Sequence, residues 1–415
     1  MNKGTVYVIG AGLAGLSAAT ALAEQGARVE IIEAAPQAGG RCRSYFDAQL
    51  GQLIDNGNHF VLSGNHATMR FLRRTGAEGG LAGPARAGVA CVDIRTGKRW
   101  TIAPNDGPLP FWLLSKRRRV PDTRTSDYVE IARLLRVGRD RPLRDVLSCR
   151  GILWERLFEP FFVGALNTDP ESASAVLASA LVRETFAKGG KAYRIRIAHP
   201  TLASVFVDPA LEFLTSRGSE IRLGQRLREI VFDDRSVTAL ALAERTIPIS
   251  HTDTVVLAVP PWVATELVPG IVAPDEFHSI VNAHFRLPAP ADAPPMLGVI
   301  GGVAQWIFSF ADRISVTISN ADAIVNEDRE TLARSIWDDV TRALDFPAPL
   351  PPWQVVKEKR ATFAATPEQA AKRPPARTKW ENLLLAGDWT ATGLPATIEG
   401  AIRSGHKAAE LVLRT

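Results

Sequence analysis

Two glycine-bearing segments at opposite ends of the chain set the fold. The chain opens on Gly4-Thr-Val-Tyr-Val-Ile-Gly10-Ala-Gly12-Leu-Ala-Gly15. It closes on Leu383-Leu-Leu-Ala-Gly387-Asp388-Trp389, followed by Pro395-Ala-Thr-Ile-Glu399-Gly400-Ala401. Thr5 to Ile9 is a β-branched apolar run and reads as a buried strand. Gly10 makes the turn after it, Gly12 lets backbone approach a pyrophosphate, and Gly15 lets a helix pack on the strand. The helix is expected over Leu13 to Gln25, with Gly26 as its C-cap. Its N-terminus offers unpaired N–H groups to phosphates. Arg28 to Ile32 is the second strand, and Glu33 at its end is placed for ribose hydroxyls.

More of the same ligand is read downstream. Gly39-Gly40-Arg41 brings a guanidinium fork to a pyrophosphate, or is a turn with a solvated arginine. The string Asp55-Asn56-Gly57-Asn58-His59 suggests a close backbone approach at Gly57. His59 is the sole histidine there; such a residue is more often structural than chemical. Near the end, Gly387-Asp388 sets a carboxylate at the C-terminal end of a short strand, where α/β sheets bind ligands. A helix follows, N-capped by Thr397 and starting at Ile398, and its dipole favours an electron-rich ligand. Cofactor-like segments at both ends imply a chain folded back around one long ligand. That points to FAD rather than NAD, and to a redox enzyme.

Length asks for a second domain, because 415 residues exceed one ordinary core. The 46% hydrophobic and 22% charged content is globular. With 49 basic and 44 acidic residues, the charge of +5 permits an anionic membrane surface and gives no argument for nucleic acid. Cys42, Cys91 and Cys149 lack the spacing of a metal site or disulfide framework. With the first strand starting by residue 4, no signal peptide is expected, and a cytoplasmic protein is. The apolar stretch Val255 to Val272 carries three prolines and cannot span a bilayer.

The fold class expected is α/β: a Rossmann-like FAD-binding domain with an inserted α+β substrate domain. The FAD domain is expected over 1–65, 216–262 and 371–415, and the substrate domain over 66–215 and 263–370. Trp154, Leu157, Phe158, Phe161 and Phe162 fall at helical spacing and read as core or as a channel wall. Gly298 to Ser319 reads as strands and Glu327 to Leu344 as a polar-faced helix. Residues 108–119, Pro-Leu-Pro-Phe-Trp-Leu-Leu-Ser-Lys-Arg-Arg-Arg, join an apolar patch to four consecutive basic residues. This suits contact with the inner face of a cytoplasmic membrane, or is a buried loop beside a solvated basic run.

The terminal segments resemble the FAD-dependent amine oxidase and phytoene desaturase superfamily, closely over 1–65 and 375–415. More loosely, Ile221 to Leu223, Leu227, Ile230 and Val255 to Pro261 resemble its small sheet completing the FAD domain, with Leu227 on the cofactor. The middle is similar to the hydroxysqualene dehydroxylase branch: Arg156-Leu-Phe-Glu-Pro-Phe-Phe-Val-Gly-Ala-Leu-Asn167-Thr168, Ala173-Ser-Ala175, His199-Pro200 and Asp208-Pro-Ala210. Asn58 departs from the branch, which usually carries Gln there. The resemblance implies reductive removal of a hydroxyl from hydroxysqualene, with hydride from reduced flavin N5, on the way to hopanoids. It implies a long isoprenoid lipid as substrate. His59, protonated near pH 7, is then the candidate acid, and Asn167 the candidate for orienting the hydroxyl. The stretch Thr390 to Ala396 lacks the aromatic residue that amine oxidases place there, which favours a lipid over an amine. An oxidative desaturase, an amine oxidase and a carrier without chemistry are the competing readings. No second dinucleotide motif follows a strand, so reducing equivalents are expected from an external reductant or reductase.

Overall fold

The computed structural model describes residues 4–414. Five strands form one parallel sheet in the order Glu220–Arg222, Arg28–Ile32, Thr5–Ile9, Thr254–Leu257 and Leu383–Leu385. Val8 sits between Ile31 and Val256, and Leu257 faces Leu385. These strands read as apolar runs because both faces are covered: Val8, Ile31 and Val256 share a core with Leu16, Leu22 and Ile402 of helices, and Ile9, Val255 and Leu257 share one with Leu227, Leu240 and Ile247. The first helix, Leu13–Glu24, packs beside the last, Ile398–Leu413. A Cβ at Gly405 would stand 2.0 Å from the Ala14 carbonyl oxygen, so the crossing is close, and Ser17 Oγ donates to the Ile402 carbonyl at 2.8 Å.

Two expectations are corrected. Residues 220–222 and 254–257 extend the parallel sheet; the small antiparallel sheet is Leu227–Phe232, Val237–Leu242 and Thr246–Pro248 alone. The boundaries expected at 66 and 216 also shift. Phe71 and Leu72 of helix His66–Arg74, and Leu202, Val205, Phe206, Ala210 and Leu214 of the two helices between 202 and 215, pack into the core of the parallel sheet. Their apolar stripes find their partner there, so these segments belong with the first core.

The larger sheet has seven strands in the order Trp353–Phe363, Phe277–Phe285, Ile314–Ile318, Trp306–Ser309, Met296–Ile300, Val89–Asp93 and Lys98–Ile102. One face is uniformly apolar. Val281, Ala283, Phe285, Leu297, Ile307, Ile314, Val316 and Ile318 bury against Leu332, Ile336, Trp337 and Val340 of helix Arg329–Leu344. The opposite face is graded. Toward one side it carries Asn282, His284, Ser315 and Thr317, all buried and polar. Toward the other it carries Met296, Trp306 and Phe308, which join the core around Trp154, Phe158 and Phe162. The aromatic stripe lies on a π-helical turn, Trp154–Phe158, continued by helix Glu159–Leu166. Its rings pack on one another, with Phe158 and Phe162 centroids 6.4 Å apart, so most of the stripe is core.

Candidate active site

The cofactor cradle begins where the first strand turns into the first helix. Gly10 adopts φ 105°, which only glycine reaches without strain. A Cβ at Gly15 would lie 1.9 Å from the Gly10 carbonyl oxygen, so the third glycine is fixed by helix-on-strand packing. At Gly12 a Cβ would meet nothing within 4 Å. The space there is open although Gly12 caps the helix, which has no side-chain cap. Gly39 pairs with Gly12, and Gly39 N donates to the Ala11 carbonyl at 2.8 Å, so Gly39 and Gly40 close the loop from the far side.

Glu33 is held by the same turn. Its carboxylate accepts from Ala11 N at 2.7 Å and Ala35 N at 2.8 Å, one bond per oxygen. Each oxygen keeps a further lone pair for a hydroxyl. Gln225 N donates to the Glu33 carbonyl at 2.8 Å, while Gln225 Oε1 is buried without a partner. Leu227, two residues on, is buried at the start of the small sheet and paired with Leu242.

Arg41 meets Asp388. Arg41 Nη2 donates to Asp388 Oδ2 at 2.6 Å, and Nη1 donates to the Ala361 carbonyl at 2.5 Å. Desolvation opposes the guanidinium charge, but the Asp388 carboxylate outweighs it and holds Arg41 above its ordinary value. Yet 44% of the Arg41 side chain is accessible. The guanidinium is therefore crowded by protein atoms and still reachable by a ligand. Asp388 itself is buried, and Arg373 donates to its carbonyl at 3.0 Å and to the Thr390 carbonyl at 2.6 Å. Arg373 had no motif to reveal it. A Cβ at Gly387 would strike the Trp389 indole, so that glycine serves the turn. Thr397 Oγ1 accepts from Gly400 N at 3.0 Å, and Ile398 starts the helix as expected. Glu399 accepts from Ala67 N, Thr68 N and Thr68 Oγ1, capping the helix that starts at His66.

Open space at Gly12, an acceptor at Gln225 without a partner among the described residues, spare lone pairs on Glu33 and an accessible Arg41 on buried Asp388 fit a dinucleotide such as FAD. Gly10, Gly12 and Gly15 with the first helix would hold its pyrophosphate, Glu33 a ribose, and Arg41, Asp388 and the Thr397 helix end its remaining length.

The Asp55–His59 string runs from beside this pair to the large sheet. His59 is half-buried. Desolvation, with the Arg41 charge added, pushes its imidazole down to about 4. The expectation of an imidazolium at pH 7 is therefore corrected: His59 stands neutral. Asn58 donates through Nδ2 to Thr317 Oγ1 at 3.3 Å and the Val316 carbonyl at 3.4 Å, and its backbone N donates to Asn282 Oδ1 at 3.3 Å. The close approach at Gly57 is to the Asn282 amide, where a Cβ would lie 3.0 Å from Nδ2. Asn58 and Gly57 thus face the large sheet.

Asn167 is corrected more fully. It ends helix Glu159–Leu166 with φ 49°, and Nδ2 donates to the His278 carbonyl at 3.2 Å and Thr362 Oγ1 at 2.9 Å. Its Oδ1 accepts from Asn320 N at 2.6 Å. Both amide hydrogens are spent on protein, so Asn167 ties the helix to the sheet and has no donor left for a substrate.

The description of the matching protein family is flavin containing amine oxidoreductase, and its model matches residues 13–413. The hydroxysqualene dehydroxylase of Rhodopseudomonas palustris is 50% identical over 414 residues, covering 100% of this chain and 99% of that protein. The hydroxysqualene dehydroxylase of Zymomonas mobilis is 48% identical over 407 residues, covering 98% of each. Among solved structures, cyclohexylamine oxidase from Brevibacterium oxydans superposes with a TM-score of 0.71 at 18% identity over 99% of each chain, a likeness of fold.

Proposed function

This chain belongs to the flavin containing amine oxidoreductase family, in its hydroxysqualene dehydroxylase branch, and from that premise we propose that it reductively dehydroxylates hydroxysqualene to squalene. The substrate reading is carried by the graded inner face of the large sheet. Asn282, His284, Ser315 and Thr317 offer polar groups at one side, and Met296, Trp306 and Phe308 offer apolar wall at the other. A long hydrocarbon with a single hydroxyl matches that gradient; a compact cationic amine does not.

The carbon–oxygen bond breaks, the oxygen leaves as water after taking a proton, and a hydride replaces it. Bound FAD in its reduced form supplies the hydride. The protein excludes water with its aromatic core, holds the hydroxyl at the polar side, and assists the leaving oxygen. His59 is the titratable group of the string that feels the Arg41 charge. As a neutral imidazole it donates an N–H hydrogen bond, and full proton transfer needs a counter-charge that arrives with the ligands. Reducing equivalents come from an external reductase. The product fits a hopanoid route.

The test is anaerobic. Flavoprotein reduced with dithionite and mixed with hydroxysqualene in detergent should form squalene as the flavin reoxidises, mole for mole. Flavin that stays reduced with this lipid, together with oxygen consumption on carotenoid precursors, would replace this reading with the oxidative one.

The protein meets its lipid at an anionic membrane surface. Residues 109–150 hold eleven basic and five acidic side chains, leaving thirty-eight and thirty-nine in the rest of the chain. All of the positive surplus therefore sits in one segment. Leu109, Phe111 and Leu114 there are 61%, 65% and 74% exposed, beside exposed Lys116 and Arg117. Arg118 and Arg119 are instead tied to the carbonyls of Ala103 and Leu113, both at 2.8 Å. Among the described residues no helix is long and apolar enough to cross a membrane. Each basic residue at an anionic leaflet contributes about 1 kcal/mol. Lys116→Gln with Arg117→Gln should weaken co-sedimentation with anionic liposomes roughly tenfold or more; unchanged sedimentation removes the membrane contact.

A further inference from the structure

Polar side chains from three segments meet on the inner face of the large sheet, and their bonding leaves the Asn282 amide nitrogen unspent, near Asn58 Oδ1 and His284 Nε2, which also lack a partner among the described residues. Asn282 is 2% exposed. Its Oδ1 accepts from Thr317 Oγ1 at 2.7 Å and from Asn58 N at 3.3 Å. A backbone N–H can only donate, so the atom facing it is the oxygen and the amide cannot be flipped without losing that bond. Nδ2 then lies toward Gly57, and it donates to no acceptor among the described residues. Carboxamides in protein interiors ordinarily use their donors. Nδ2 keeps accessible surface although the residue as a whole is buried, and a donor that is oriented by two partners, reachable and unspent is what a site looks like when its acceptor belongs to a ligand.

We propose that Asn282 Nδ2 binds the hydroxyl oxygen of the substrate and selects for it, with Thr317 as the positioning residue behind it. The proposal rests on the dehydroxylase reading. Asn282 stands where the polar side of the graded face meets the string carrying His59. Gly57 explains itself here too, since a side chain would press on the amide from the side where it must reach its ligand. A carboxamide does not titrate in the working range, so Asn282 orients the oxygen and is not the proton source. A site built to hydrogen-bond a hydroxyl discriminates strongly against the analogue that lacks it. Squalene is that analogue.

The experiment uses the oxidised flavoprotein, which binds lipid without turning it over. Hydroxysqualene and squalene are titrated in detergent, read by perturbation of flavin absorbance and by tryptophan fluorescence. The unmodified protein should bind hydroxysqualene about tenfold or more tightly than squalene. Asn282→Leu should erase that preference, leave squalene affinity within about twofold, and raise KM more than it lowers kcat. Thr317→Val should lose part of the preference. An Asn282→Leu protein that holds FAD, melts like the unmodified one and keeps the preference overturns the assignment. If Asn282→Leu does not fold, Thr317→Val decides, and an unchanged preference there overturns it equally. Unmodified protein that neither prefers nor converts hydroxysqualene sinks the reaction reading. Conversion with a preference that survives Asn282→Leu sinks Asn282 alone.

Discussion

The parallel sheet and the seven-stranded sheet build their shares of the site from different parts of the chain. In the parallel sheet the strand side chains Val8, Ile31, Val256 and Leu384 are buried in packing, and the surface that would face a dinucleotide is mainly backbone at Gly10, Gly12, Gly39 and Gly40, with the Glu33, Arg41 and Asp388 side chains around it. In the larger sheet the backbone is spent on strand pairing, and the working surface is one row of side chains from Asn282 through Thr317 to Trp306 and Phe308. A site made of backbone tolerates almost no added atoms but says little about which substrate is used. A site made of side chains can be retuned residue by residue. Cofactor choice and substrate choice are thus separable in this fold.

Glycine substitutions test the first half most severely. Gly15→Ala forces a Cβ into the Gly10 carbonyl and should destabilise the protein by roughly 3 kcal/mol or more, seen as a lowered urea midpoint even without FAD. Gly12→Ala should spare the apoprotein, whose melting temperature should stay within about 2 °C, while abolishing the stabilisation by added FAD, about 2.7 kcal/mol at a hundredfold excess over Kd. A Gly12→Ala protein still stabilised by FAD would break the contrast.

Acid tests the second half. Desolvation first, then Arg313, pushes His284 down to about 3, with Asp47 and the Asp55 backbone pulling weakly the other way. The unfolded histidine titrates near 6.5, so below that pH the unfolded chain binds a proton that the folded chain refuses. Stability is full above pH 6.5 and falls as pH drops toward the folded value; at pH 4.5 the loss from His284 is at most about 2–3 kcal/mol. His59 adds a loss over pH 6.5 to 4. Urea unfolding of His284→Gln at pH 7 and 4.5 should show a smaller drop than the unmodified protein, and an equal drop would refute the burial of that ring. The smallest effect is expected at Asn167. Asn167→Ala should cost roughly 2 kcal/mol of stability through three lost hydrogen bonds while KM stays unchanged; a raised KM would return Asn167 to the site.

The same contrast explains what the sequence disclosed. Strands 5–9 and 28–32, the glycine turn and the Thr397 cap were legible because turns and caps demand particular residues at fixed spacing, and the same spacing singled out Glu33, Arg41 and Asp388 as side chains near them. Asn282 was not. It sits in Phe277–Phe285 as one polar residue in a mostly apolar run, and its partners lie 35 and 224 residues away. Nothing local distinguishes it from Asn167, which has an αL turn to hold instead. The protonation of His59 was equally hidden, because it depends on Arg41 and on enclosure rather than on neighbours in sequence. The strand Glu220–Arg222 is too short to show a period, so its place at the edge of the parallel sheet came only with the fold.

The Arg41–Asp388 pair joins residues 347 positions apart, and the strand beside it, Leu383–Leu385, completes the sheet on Thr254–Leu257. At about 5–20 residues per second a ribosome needs roughly 20–80 s to make the chain. For the last part of that time the Thr254–Leu257 edge has no partner and the cradle has no Asp388. The nascent chain carries an open, apolar sheet edge until Leu383–Leu385 emerges, and the cradle cannot close before Asp388 does. Its vulnerability in the cell is therefore one of timing, and a shortened C-terminus makes that transient state permanent.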